Sequence, residues 1–157
     1  MALDEYDLTR IIDRLAISDV VVRYATAVDG RDWDLYASCF TDPLDVDFPS
    51  FSDRPGAPMA RSAWVERVRG TIDGFDVTQH LSTNHVATFA TDDEATCVSQ
   101  MQAMHVLDRR QVVLGGYYTN TLVRTPAGWR ICRCALTVTW RTGDRALFDV
   151  ARSRARA

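Results

Sequence analysis

The chain of 157 residues contains no lysine; all eighteen basic side chains are arginine. That bias reads as the codon usage of a GC-rich genome, because exposed arginine and lysine are both mostly solvated surface. Basic charge is not concentrated either. Twenty-one acidic residues leave a net charge of −3, and the one basic cluster, Arg152, Arg154 and Arg156, reads as a frayed, solvated terminus. A nucleic-acid partner is therefore not expected. Long apolar runs are missing, so no segment reaches the roughly 18 residues of a membrane span. The acidic stretch Met1–Asp7 lacks the apolar centre of a secretory signal. None of the four cysteines (Cys39, Cys97, Cys132 and Cys134) forms a C-x-x-C pair. They read as small packed hydrophobes in a reducing cytoplasm, and a cytoplasmic location is expected. Three scattered histidines without cysteine clustering argue against a metal site, and no cofactor is implied.

What is present fits one globular domain. Hydrophobic residues make up 46% and charged residues 25%, ordinary values for a folded chain. We expect a single domain over residues 1–157, with a core at about 5–142 and a C-terminal segment, 143–157, that is either a short lid or a disordered tail.

Residues 5–29 read as a long helix. Leu8, Ile11, Ile12 and Leu15, then Ile17, Val20, Val21, Tyr24, Ala25 and Val28, form its apolar stripe. Gly30 suits a left-handed stop. Asp32 offers a cap for a second short helix carrying Trp33, Leu35, Tyr36 and Phe40, ended by Pro43. Residues 45–48 read as a short strand and 49–61 as a loop. Ser62 is placed to cap a third helix with Val65, Val68, Ile72 and Phe75 on one side. After residue 76 the period changes. Residues 78–90, 94–107, 111–124 and 128–141 are strand-like and joined by short turns. Helices followed by an antiparallel meander make an α+β fold. A curved sheet wrapped on the N-terminal helices would enclose a concave, mainly apolar pocket.

Strict alternation puts His80, Ser82, Asn84, Val86 and Thr88 on one face of the first long strand, and His85, Ala87 and Phe89 on the other. His80 and His85 then share a pocket only if a bulge intervenes. His105 shares a face with Cys97, Ser99, Met101 and Ala103. A base working near pH 7 is most easily a histidine, and a carboxylate on its second nitrogen fixes the tautomer. Asp29, in the last turn of the long helix, is placed either to supply that carboxylate or to stand in solvent. Taken alone, His80 is either structural or catalytic.

The runs Val28-Asp29-Gly30-Arg31-Asp32-Trp33-Asp34, Asp45-Val46-Asp47-Phe48-Pro49-Ser50-Phe51 and Thr78-Gln79-His80-Leu81 carry a resemblance. The sequence resembles the SnoaL-like family of the nuclear transport factor 2-like superfamily, on the side of the scytalone dehydratases and dehydrochlorinases, over residues 8–141. The resemblance implies a cone-shaped α+β fold with an internal pocket. It implies an Asp29–His80 dyad with His80 as base, His105 as a second pocket histidine and Thr119 at a polar pocket position. Val28 and Phe48 stand where the dehydratases hold water with tyrosines, and Thr121 where they have an asparagine.

Help for a carbonyl is then expected from His105, Tyr24, Tyr117, Thr119 or water; Tyr117 shares a face with Thr119, while Tyr118 points away. His105 is the preferred donor or proton-returning acid. Tyr24 either lines the pocket or packs in the core. Val28, Phe48, Met101 and Leu136 would make the pocket fit a flat hydrophobic molecule. The expected activity is a cofactor-independent lyase or isomerase, of dehydratase or cyclase type, acting on a small aromatic or polycyclic carbonyl compound. The alternative is a non-catalytic ligand binder, or the small structural subunit of a ring-hydroxylating dioxygenase. Epoxide hydrolysis by an Asp-Arg-Asp cluster ranks below both. Val98, Met104, Val112, Leu114, Cys132, Leu136 and Trp140, spread over both strand parities, suggest self-association through the sheet. By resemblance a homotrimer is favoured over a dimer.

Overall fold

The computed structural model describes residues 4–50 and 56–156; Phe51, Pro55 and the first three residues lie outside them. In chain order the elements are α1 (Glu5–Gly30), α2 (Trp33–Ser38), β1 (Phe40–Asp47), β2 (Ala57–Met59), α3 (Arg61–Ile72), β3 (Val77–Phe89), β4 (Glu94–Leu107), β5 (Arg110–Thr125), β6 (Gly128–Gly143) and α4 (Leu147–Arg154). The six strands form one sheet in the order β2-β1-β6-β5-β4-β3. Strands β3 to β6 are an antiparallel meander, and β1 joins β6 in parallel. The sheet is curved and unclosed, and the helices cover its concave face.

Local chemistry sets the helix ends. Asp4 and Asp7 form a reciprocal capping box at the start of α1. Its left-handed stop falls on Arg31 (φ 55°), not on Gly30. A side chain there is unfavourable unless something holds it. Here the Arg31 guanidinium donates to the carbonyls of Asp29, Ile72 and Phe75. Asp32 caps α2 by accepting from Leu35 N at 2.9 Å. Ser62 does not cap α3. The helix starts one residue earlier, and Asp42, nineteen positions upstream, accepts from Arg61 N at 3.0 Å. Pro43 does not end the second helix; it lies inside β1, whose pairing with β6 is irregular between Phe40 and Asp45. A residue without an N–H leaves such a gap in a ladder.

Strand β3 departs from simple alternation. Its pairing with β4 shifts between Thr83 and Val86, and Asn84 takes a positive φ of 54°. This bulge turns His85, Ala87 and Phe89 to the helix side and Val86 outward. His85 bonds Ser18 of α1 at 2.7 Å and Ser82 at 3.1 Å. The C-terminal segment forms α4, with Leu147, Phe148 and Ala151 buried, so it is not a disordered tail. Arg154 is likewise not frayed, since it reaches Asp76 at 2.8 Å.

The apolar stripe of α1 divides in two. Ile17, Val20, Val21, Tyr24 and Val28 are buried against the sheet, whereas Leu8, Ile11, Ile12 and Leu15 face outward. In that first half the sheet side is polar. Asp13, only 3% exposed, accepts from Arg124 of β5 at 2.7 Å and from Trp129 Nε1 of β6 at 2.9 Å. These bonds tie the start of α1 to the far end of the meander. Replacing Asp13 by Ala strands the indole N–H and one arginine donor. We expect a loss of about 1–3 kcal/mol in chemical denaturation, the penalty of an unsatisfied buried donor. An unchanged midpoint would remove Asp13 from this role.

Candidate active site

Between the helices and the sheet lies a cavity of about 1020 Å³. Strand alternation supplies one wall. Met101, Ala103 and His105 of β4 face it, with Leu114 and Tyr118 of β5 and Leu136 of β6. Tyr24 and Val28 of α1, Phe48 beyond β1 and Trp64 of α3 close the other sides. Glu66, Arg67, Arg152 and Arg156, on α3 and at the C-terminal helix, occupy its more exposed rim. Phe148 of α4 also lines it.

Asp29 and His80 meet at the cavity wall. Asp29 stands in the last turn of α1, and Thr78 and His80 share one face of β3 ahead of the bulge. Asp29 Oδ1 lies 2.7 Å from His80 Nδ1 and accepts from Thr78 Oγ1 at 2.9 Å. Oδ2 accepts from the His80 backbone N–H at 2.6 Å. The aspartate is thus no freely solvated helix end: its side chain is 24% exposed, and that of His80 13%. Burial raises the Asp29 pKa, but the His80 ring, its charge, its backbone N–H and the Thr78 hydroxyl outweigh that effect. The carboxyl is held below its ordinary value. It is therefore a carboxylate at neutral pH. Nδ1 is thus committed to Asp29, while the His80 side chain lines the cavity.

His105 stands beside this pair, its ring centroid 5.3 Å from that of His80 and nearly perpendicular. Phe75 and Phe148 pack on it at 5.0 and 4.8 Å. Burial, then the neighbouring His80 charge, pulls its pKa down to about 3, against weaker opposite effects of Asp29 and the Val112 backbone. His105 is therefore neutral near pH 7. It can donate one ring N–H, but it holds no spare proton to return. Its Nδ1 is buried without a hydrogen-bond partner.

The expected lining is met in part. Tyr24, Val28, Phe48, Met101 and Leu136 line the cavity; Tyr117 and Thr119 do not. The cross-strand pairs Ser99↔Tyr118 and Met101↔Gly116 put the even positions of β5 inside. Tyr118 and Asn120 are thus buried, while Tyr117, Thr119 and Thr121 face the outer side. Reading β5 one residue out of phase hid Tyr118, whose hydroxyl lies 3.3 Å from that of Tyr24. The same parity puts Val112, Leu114 and Leu136 inside rather than on the outer face. The Asp–Arg pair that epoxide hydrolysis would recruit, Asp47–Arg133 at 2.6 Å, is not part of the cavity wall. Among the described residues no group of three or more His, Cys, Asp or Glu side chains is placed to hold a metal ion. No helix among them is long and apolar enough to cross a membrane.

His105 makes the fold sensitive to acid. Unfolded, the imidazole takes up a proton below about pH 6.5; folded, it does so only near 3. The stability it contributes is complete above the unfolded value and is lost as pH falls from there toward the folded one. Urea midpoints should drop across this window in the native protein and drop less in His105→Gln. Parallel curves for the two proteins would refute the buried neutral imidazole.

Comparison with known proteins agrees with this architecture. An uncharacterised protein of Mycobacterium tuberculosis is 31% identical over 128 residues, covering 80% of this chain and 85% of that one. The structure of a candidate scytalone dehydratase from Novosphingobium aromaticivorans superposes with a TM-score of 0.78 at 25% identity, over 87% of this chain and 91% of that one. The hexachlorocyclohexane dehydrochlorinase LinA-type3 from Novosphingobium barchaimii shares the fold, with a TM-score of 0.75 at 18% identity over 88% and 94% of the two chains. The SnoaL-like domain family matches residues 9–135, and the chain belongs to that family.

Proposed function

We propose that this chain is a cofactor-independent lyase or isomerase in which His80, oriented by Asp29, removes a proton from carbon. The observation that carries the reading is the 2.7 Å contact between Asp29 Oδ1 and His80 Nδ1 at the wall of a large, partly apolar cavity. The carboxylate fixes the tautomer and stabilises the imidazolium as it forms. The free ring nitrogen takes the proton, and the C–H electron pair moves toward an adjacent carbonyl or expels a leaving group on the next carbon. His80 then returns its proton to the product or to the departing group. His105, neutral, serves as a hydrogen-bond donor rather than as the returning acid.

Aromatic side chains at Phe48, Tyr24, Trp64 and Tyr118, with Met101 and Leu136, favour a flat aromatic or polycyclic carbonyl compound. The likeness to a candidate scytalone dehydratase supports dehydration among the possible outcomes. Self-association through the outer sheet face, as a trimer, belongs to the same reading. It is supported by exposed Val77, Leu81, Val86 and Trp140.

The test is hydrogen–deuterium exchange, followed by NMR, at the acidic carbon of enolisable aromatic ketones. His80→Ala should lower exchange by about 10²–10⁴-fold with the melting curve preserved, and Asp29→Asn should also slow it. Equal exchange in His80→Ala and the parent protein would overturn the dyad. Purification in a fixed ratio with a larger oxygenase chain would favour the structural-subunit alternative instead.

A further inference from the structure

Proton abstraction conjugated with a carbonyl needs a donor for the oxygen that gains charge; His105 serves an oxygen beside His80, and neither the Val28 nor the Phe48 side chain serves one further off. We propose that the paired hydroxyls of Tyr24 and Tyr118 form the subsite that receives the substrate's carbonyl oxygen, so that the substrate is a conjugated, enolisable carbonyl compound. This rests on the proton-abstraction reading above and names the other half of its site.

Tyr24 and Tyr118 are both buried, both line the cavity, and their oxygens lie 3.3 Å apart. Two hydroxyls carry two hydrogens, and their mutual bond uses one. Tyr24 also engages the Tyr36 hydroxyl behind it, and Tyr36 engages Trp64; four hydrogens on a row of four such groups make three bonds, which leaves one to spare. The Tyr36 hydroxyl and Trp64 Nε1 are both fully buried, and Trp64 also borders the cavity. Three phenols and an indole N–H gather here, with ring centroids of Tyr24 lying 5.1 Å from Tyr36 and 5.4 Å from Tyr118. Such a corner has a donor to spare and fits an oxygen that is becoming negative. Burial pushes both phenols well above their ordinary range, so each keeps its hydrogen at neutral pH.

Position supplies the substrate class. His80 pairs with Ala103 of β4, and Tyr118 pairs with Ser99 of the same strand. Four residues of strand separate these levels, about 13 Å of backbone rise, shortened by the reach of the tyrosine. The acidic carbon at His80 and the oxygen at the hydroxyls are therefore several bonds apart. Conjugation is what carries charge between them.

The experiment uses 4-nitrophenol, whose absorbance distinguishes phenol from phenolate, and nitrobenzene as its uncharged counterpart. The native protein should bind the phenolate in preference to the phenol. Tyr118→Phe should weaken phenolate binding by about tenfold or more, as loss of a hydrogen bond to a charged group does, while nitrobenzene binds as before. Tyr24→Phe, acting through Tyr118, should give a smaller loss of the same selectivity. His80→Gln should lose carbon–hydrogen exchange and keep phenolate binding, which separates this subsite from the dyad. The proposal is overturned if Tyr118→Phe leaves phenolate binding unchanged, if it weakens nitrobenzene equally, or if the loss appears in His80→Gln instead. Should Tyr118→Phe not fold, absence of phenolate preference in the native protein overturns it as well.

Discussion

The carboxylate of Asp29 is the junction on which the site depends. It accepts three hydrogen bonds from β3: one from the Thr78 hydroxyl and two from His80, through its backbone and its ring. A single group thereby fixes where α1 ends against the sheet, which face of β3 looks inward, and which nitrogen of His80 carries hydrogen. The last turn of the helix is itself held by Arg31, whose guanidinium spans carbonyls of α1, of the end of α3 and of Phe75 beyond it. Orientation of the imidazole is thus built into the backbone connections of three elements rather than left to a loop, which is how a precise site is kept rigid.

Around that junction the cavity separates two kinds of polar group. Asp29 is charged and anchored, whereas His105, Tyr24 and Tyr118 are neutral and buried. A carboxylate and several uncharged donors in one hollow have different uses. The first orients its histidine, and the others meet charge only after it has moved.

Much of this was legible in the sequence. The long first helix, the Asp32 cap, the four late strands and the pairing of Asp29 with His80 follow from periodicity, from turn residues or from the family resemblance. What escaped depended on tertiary partners. Arg31 takes the left-handed position for which Gly30 is suited, because distant carbonyls hold it. Asp42 caps α3 from another element. Leu8, Ile11, Ile12 and Leu15 continue the helical stripe yet face solvent, since Asp13 claims the sheet side for its bonds to Arg124 and Trp129. The inward side of Tyr118 is not legible in its own strand, because the parity of β5 is set by its register with β4.

The bulge at Asn84 has an architectural consequence. It divides β3 into a stretch that presents Thr78 and His80 and a stretch that seats α1 through His85, Ala87 and Phe89. Because the irregularity takes up the mismatch of phase, the two stretches answer to separate demands. Changes that refit the helix seat need not rotate the imidazole out of the hollow, so scaffold and chemistry are free to diverge independently along one continuous strand.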